Sequence, residues 1–302
     1  AAAGGCATAD ASLLTEQVGQ DMPHLQSPAM ARDIPIAIVK GAGDLGTGVA
    51  YRLWKCGFRV LCTDLEKPLV IRRTVAFASA LYDGRITVEG VQCERVFYAD
   101  EAIYLWQRNT LAVVADPVGR VVESLRPEIV VDAIMAKRNT GTTILDAPCV
   151  VALGPGFTAG QDCHAVIETQ RGHDLGRVIW VGGASPNTGV PGKVGGEDAR
   201  RVVRAPCDGP FYGRRAIGDM VKEGDVIAQV GDVPIHATLS GVLRGLLHDG
   251  VQVKTGLKIA DIDPRGEPRY CFSISDKALA VAGGVLEAVF TMRESWKPRP
   301  ER

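Results

Sequence analysis

The sequence predicts an α/β protein in two parts, an N-terminal Rossmann-like domain built on a parallel sheet and a C-terminal all-β barrel-sandwich hybrid followed by a terminal helix. Three observations predict it. A glycine-rich turn follows an apolar run at 36–48, IAIVKGAGDLGTG, and opens a helical pattern. Continuous apolar runs of strand length, 111–115 and 129–134, alternate with helical segments, as in a parallel sheet buried on both faces. In the last third the chain matches itself at an offset of 32 residues.

The first stretch fits G-x-G-x-x-G through Gly41, Gly43 and Gly46. In that pattern the first glycine allows a sharp turn, the second lets backbone amides approach a pyrophosphate, and the third lets helix pack on strand. A phosphate would sit on the helix N-terminus. A second strand, 58–62, ends near Asp64, about 20 residues past the glycines, where a ribose hydroxyl would be met. Asp44 follows the second glycine and serves either as the helix N-cap or as the holder of a cation that bridges to phosphate.

After Asp64 the spacing of Val70, Thr74, Phe77 and Leu81 predicts a helix over 67–81. One or two short strands are expected in 86–98, a helix at 100–106, and another around Val121. The strand at 129–134 runs into Lys137, Arg138 and Asn139, which would emerge beyond the carboxyl ends of the strands, where ligands of open α/β sheets collect. Two cations and an amide there suit an anionic group or form a solvated basic loop.

From 148 to 193 the sequence is loop-rich. Long glycine-rich loops in compact proteins tend to carry function. His164 and Glu168 lie four apart and share a face in a helix or a strand, and His173 follows. The three either form an acid-base group or metal site, or are hydrogen-bonded around a loop; the spacing matches no recognised metal motif. Cys163 beside His164 invites a nucleophile reading, but sequence neighbours on a strand point to opposite faces.

In the repeat, Val203, Ala205, Gly209, Gly218, Val221, Gly224, Ile227 and Ala228 correspond to Ile235, Ala237, Gly241, Gly250, Val253, Gly256, Ile259 and Ala260. Glycines in register mean turns at the same places, so each half should be the same set of short strands. The phrase GDMVKEGDVIA, 218–228, resembles biotinyl and lipoyl domains, yet the junction QVGDVP, 229–234, has no lysine to carry a prosthetic group. The stretch 275–292 reads as an amphipathic helix capped by Ser275 or Asp276.

The segments expected are therefore a flexible tail at 1–34, a nucleotide-binding domain at 35–147, a linking segment with candidate active-site residues at 148–200, the barrel-sandwich hybrid at 201–265, and a helix with a fraying tail at 266–302. The tail lacks the basic and long apolar regions of a secretory signal, and Met30 could serve as a start. A chain of 302 residues, 46% apolar with a formal charge of −1, fits a globular protein and argues against generic nucleic-acid binding. No apolar run has the length of a membrane span. Eight scattered cysteines without a C-x-x-C pair fit reduced thiols in a cytoplasm.

With these residues in hand the chain from 36 to 292 resembles the YqeB family, accessory proteins of selenium-dependent molybdenum hydroxylase systems. The likeness is carried by KGAGDLGTGVAYRL (40–53), VIRRTV (70–75), VVDAIMAKRNTGT (130–142), LGPGFTAG (153–160), HAVIETQRGHDLGRVI (164–179), PNTGVPG (186–192), GVLRGLL (241–247), LKIADIDPR (257–265) and SDKALAVAGGVLEA (275–288). The resemblance implies a cytoplasmic maturation factor for a molybdopterin-type cofactor and its selenium ligand. Its partners would be the hydroxylase or other maturation proteins, with self-association open. Cys163 and Cys207 fall on no motif position that would make them selenium carriers. The ligand expected is a molybdopterin dinucleotide, with Gly41, Gly43 and Gly46 at its phosphate, Asp64 at a ribose, Lys137, Arg138 and Asn139 at a second anionic group, and His164, Glu168 and His173 at the reacting end. Two alternatives stand beside it: an NAD(P)-dependent oxidoreductase, resting on the glycine pattern and Asp64, and a metal-dependent hydrolase, resting on His164, Glu168 and His173.

Overall fold

Strand β1, Ile36–Lys40, is apolar up to its last residue and buried over its last four, as befits a strand covered on both faces. It turns into helix α1, Asp44–Lys55, and returns as β2, Asp64 at its end and Arg59 at its start, paired parallel to β1. The computed structural model describes residues 34–187, 196–197 and 199–293. The expected tail before Ile34, part of the loop-rich segment and the last residues of the chain lie outside them.

Helix α2 (Ala80–Asp83), strands β3 (Arg85–Val88) and β4 (Val91–Val96), helix α3 (Glu101–Gln107), strand β5 (Leu111–Ala115), helix α4 (Arg120–Leu125) and strands β6 (Ile129–Asp132), β7 (Cys149–Leu153), β8 (Ala165–Ile167) and β9 (Val178–Ile179) follow. The strands form one sheet in the order β3-β4-β5-β2-β1-β6-β7-β8-β9. From β4 to β8 all neighbours are parallel, while β3 and β9 add antiparallel edges. Side chains alternate across the sheet. Ala37 and Val39 join a core with Val49 and Leu53 of α1, whereas Ile38 joins a second core with Trp106 of α3 and Val121 of α4.

Strands β10 (Val202–Arg204), β11 (Gly209–Gly213), β12 (Met220–Val221) and β13 (Val226–Val230) form the first half of the repeat. Strands β14 (Val233–His236), β15 (Gly241–Leu246), β16 (Gln252–Val253) and β17 (Lys258–Asp263) form the second at matching positions. Each of two four-stranded antiparallel sheets, β10-β17-β15-β12 and β14-β13-β11-β16, takes two strands from each half. Phe211, Ile227, Leu243 and Ile259 are fully buried among them. Helix α5, Asp276–Thr291, then lies against α1, its Val281 and Val285 in the same core as Val49 and Leu53. Ser275 caps it, its hydroxyl accepting from the amide of Ala278 at 3.1 Å.

This architecture corrects the expected fold class. The large sheet is mixed rather than an all-parallel Rossmann sheet, and the β-rich part is no separate barrel-sandwich domain, since the chain from Ile34 onward gathers into one compact unit. The segment expected as a helix over 67–81 differs as well. It runs extended and then makes 3-10 turns at Arg73–Val75 and Phe77–Ser79 before α2. Pro68 lacks an amide proton, and the backbone beyond it is taken by the β-rich part: Ile71 accepts from the amide of Leu246 at 2.8 Å, and Arg73 donates to the Leu246 carbonyl at 2.8 Å. Of the side chains that looked like one helical face, Phe77 and Leu81 are buried in the core beneath α1, Val70 packs against it, and Thr74 donates to the Cys271 carbonyl.

Candidate functional site

The carboxyl ends of β1, β2, β5 and β6 open into a cleft of about 570 Å³, the size of a small-molecule site. The turn after β1 forms its floor. Gly41 has φ of +93°, donates its amide to the carbonyl of Thr63 at 2.8 Å, and would place any Cβ 2.6 Å from the carbonyl oxygen of Ala133. A Cβ on Gly46 would overlap the carbonyl oxygen of Gly41. Gly43, by contrast, faces open space and has an ordinary φ of −71°. Helix α1 therefore begins at the cleft, where its first amides have no partner within the helix and carry the positive end of its dipole.

Asp44 does not cap this helix: the N-cap position is Gly43, and no side chain bonds there. The Asp44 carboxylate instead accepts two bonds from one nitrogen of Arg72, at 2.9 and 3.0 Å. Arg72 is 6% exposed, and a guanidinium so buried requires a counter-charge. Asp64 also departs from its expected task. One oxygen accepts from the amide of Ala42 and the other from that of Leu65, each at 2.8 Å, so the carboxylate holds the glycine turn instead of standing clear for a ribose. Burial raises its pKa, against the lowering effect of those two bonds. Asp116, at the end of β5, accepts from the amides of Gly119 and Val121 at 3.0 and 2.9 Å and so secures the start of α4.

Lys137 and Arg138 are exposed on the loop after β6, where Met135 and Lys137 both have positive φ, 61° and 63°. The residues of this loop that line the cleft are Ile134, Met135 and Thr140. Asn139 is committed within the loop. Its amide group donates to the Thr142 carbonyl at 2.8 Å, and its oxygen accepts from the amides of Gly141 and Thr142 at 2.9 Å. It is not available as a ligand contact.

His164 and Glu168 share a strand but not a site, because they flank β8 at its two ends. Four residues of strand separate them by about 13 Å. His164 accepts from the amide of Val150 at 3.0 Å on Nδ1, and burial lowers its pKa against that bond, so it is a neutral pin between β7 and β8. Glu168 is 4% exposed, with one oxygen accepting from the amide of Gln170 at 2.7 Å and the other from that of Ser185 at 2.8 Å. These bonds hold its pKa below the usual value although burial pushes it up. His173 is exposed on the following loop. Among the described residues no three His, Cys, Asp or Glu side chains gather as a metal site. Cys163 is fully buried, which pushes its thiol up to about 12 and makes it inert as a nucleophile; Cys207 is half-buried with its sulfur 3.8 Å from the Val230 carbonyl.

Sequence reasoning passed over Lys40, which lines the cleft, and the polar network behind it. Lys40, at the end of β1, donates to the hydroxyl of Thr142 at 2.7 Å and lies 3.5 Å from Asp146. That hydroxyl donates in turn to Asp132, at the end of β6, at 2.6 Å. Burial raises the pKa of Asp132, opposed by the bonds from Thr142 and Ile134 and by the charge of Lys40. The available signal was a charged residue closing an apolar strand, which holds for Lys40 and Asp132 alike. Lys258, from β17, reaches the same cleft.

Comparison with known proteins gives one strong likeness. The chain is 51% identical over 285 residues to the Escherichia coli (strain K12) protein YqeB, described as uncharacterized, covering 93% of this chain and 53% of that one. It thus spans about half the length of the relative it matches, and the family likeness read from the sequence blocks holds over those residues. No family model matches. Among solved structures it is similar to an aspartoacylase family protein from Mesorhizobium loti, at 13% identity and a TM-score of 0.25, covering 76% of this chain and 85% of that one. A succinylglutamate desuccinylase/aspartoacylase from Rhodobacter sphaeroides follows at 15% identity and a TM-score of 0.23, covering 76% and 84%. Likenesses this low carry no argument about this chain. Among the described residues no helix is long and apolar enough to cross a membrane.

Proposed function

With the likeness to YqeB as premise, we propose that this chain binds a small phosphate-bearing ligand over the glycine turn, as an accessory part of the maturation of a selenium-dependent molybdenum hydroxylase. The ligand class that fits the premise is a molybdopterin dinucleotide. The observation that carries the reading is the start of α1 at Gly43, where unpartnered amides open on the cleft and the one acid of that turn, Asp44, is neutralised by Arg72. Lys40 stands beside it at the end of β1. The ribose-binding role given to Asp64 in an NAD(P) enzyme loses its support, because both oxygens already serve backbone amides. A metal hydrolase built on His164, Glu168 and His173 loses its support as well, since His164 and Glu168 sit at opposite ends of β8.

The test is native mass spectrometry and calorimetry of the full chain with a molybdopterin dinucleotide. Saturable binding in the wild type that is lost in Gly43→Asp, which adds a carboxylate in front of the amides, supports the proposal. Absence of binding by the wild type overturns it.

A further inference from the structure

The cleft wall contributed by β17 carries a cation without an uncommitted counter-ion. Lys258 lines the cleft, and its side chain is 40% exposed. The acid near it is Asp261, at 3.9 Å, which is already held through both oxygens by Arg201 at 2.9 and 3.0 Å. The three carboxylates that line the cleft are committed too. Asp44 is on Arg72, Asp64 is on the amides of Ala42 and Leu65, and Asp116 is on those of Gly119 and Val121. The other cations there differ, for Arg72 is matched by Asp44 and Lys40 donates to Thr142.

Holding an ammonium partly out of water is unfavourable unless something negative meets it. Burial lowers the pKa of Lys258, and the lysine lines the same cleft as Gly43, Asp44 and Leu45 at the start of α1. Three donor groups of a lysine ammonium, in one cleft with the amides of a helix start, suit two linked anionic groups rather than one.

Resting on the phosphate-site reading above, we propose that Lys258 is a second anion anchor, so that the ligand carries a diphosphate: one phosphoryl group sits on the amides that open α1 and the next on the Lys258 ammonium. The β-rich part of the chain is then a direct participant in binding, and a ligand with a single phosphate engages half of the site. The ligand class is a diphosphate ester, with the organic group left to the rest of the cleft.

Calorimetry of the full chain with inorganic pyrophosphate and with orthophosphate tests this. A charge-assisted bond predicts that Lys258→Met weakens pyrophosphate binding by about 10- to 100-fold and changes orthophosphate binding by less than about 2-fold, while Lys258→Arg retains most of the affinity. In parallel, trace acetylation read by mass spectrometry should show Lys258 protected by pyrophosphate and not by orthophosphate at equal occupancy. If pyrophosphate binds no tighter than orthophosphate, or Lys258→Met leaves both unchanged, the second anchor is overturned while the site at Gly43 stands. If neither anion binds the wild type, the second anchor and the phosphate-site reading fall together.

Discussion

Arg72 donates from one guanidinium nitrogen to both oxygens of Asp44, at 2.9 and 3.0 Å, and from the other to the carbonyls of Tyr270 and Ser273, at 3.0 and 3.2 Å. One side chain therefore fixes the first turn of α1 to the chain just ahead of α5 and cancels the only acid of that turn. Removing it leaves the Asp44 charge facing the helix amides. Arg72→Met should lower stability by about 2 kcal/mol, less than a fully buried pair would lose because the Asp44 side chain is 30% exposed. It should also weaken anion binding by at least about 10-fold, whereas Asp44→Asn should bind an anion as well or better. Urea unfolding and pyrophosphate titration of the two variants check both halves; equal losses of binding would refute the assigned roles.

The glycines of the turn divide into those the fold needs and one, Gly43, that the proposed ligand site needs. Gly46→Ala forces a methyl group onto the Gly41 carbonyl, and Gly41→Ala adds a Cβ 2.6 Å from the Ala133 carbonyl at φ of +93°. Each should cost about 3 kcal/mol or more, by overpacking and backbone strain. Gly43→Ala meets nothing within 4 Å and should keep wild-type stability within about 0.5 kcal/mol. It should nonetheless reduce ligand affinity, because its methyl group enters the cleft. Melting temperatures that rank the three otherwise would remove the distinction.

The features legible in sequence were those set by local pattern. Strands β1, β5 and β6 announce themselves as short continuous apolar runs, and the 32-residue repeat announces two matching sets of short strands because glycines mark the same turns twice. What failed was long-range. The 67–81 stretch has helical spacing, yet Leu246, some 170 residues on, takes its backbone; such a partner leaves no trace in a local window. Asp44 has the type and place of an N-cap, and only the distant Arg72 draws it away. Lys40 and Thr142 are separated by 102 residues. His164 and Glu168 satisfied a parity argument that says which face a side chain takes, not at which end of the strand it sits.

At the start of α5, Arg171 grips Asp276 through two bonds of 2.7 and 2.9 Å, and that hydrogen-bonded pairing holds the Asp276 pKa well below the usual carboxylate value. A carboxylate depressed in the folded state contributes stability that is present above its unfolded pKa, about 3.9, and is lost as pH falls through and below that value. Because the Asp276 side chain is 72% exposed, solvent screening keeps the contribution under about 1 kcal/mol. Asp276→Asn should therefore be less stable than wild type at pH 6 and should approach it at pH 2.5. Chemical unfolding at the two pH values decides this, and a gap that does not narrow in acid would show that the pair contributes nothing by its charge.

Lys258 should show the opposite sign. Its folded pKa is lowered, chiefly by burial, so between that value and the unfolded value of about 10.4 the unfolded chain binds more protons than the folded one, and stability rises with pH across that window. Below its folded pKa the lysine is charged in both states, and the folded state bears the desolvation. Lys258→Met should accordingly stabilise the protein at pH 7, by up to about 0.5 kcal/mol given that the side chain is 40% exposed, and the advantage should shrink toward pH 10.5. A binding residue kept at a cost to the fold behaves in this way, because its partner arrives with the ligand. A variant less stable than wild type at pH 7 would instead mean that Asp261 satisfies the ammonium within the chain, and a lysine so satisfied has no unmet charge with which to hold a second phosphoryl group.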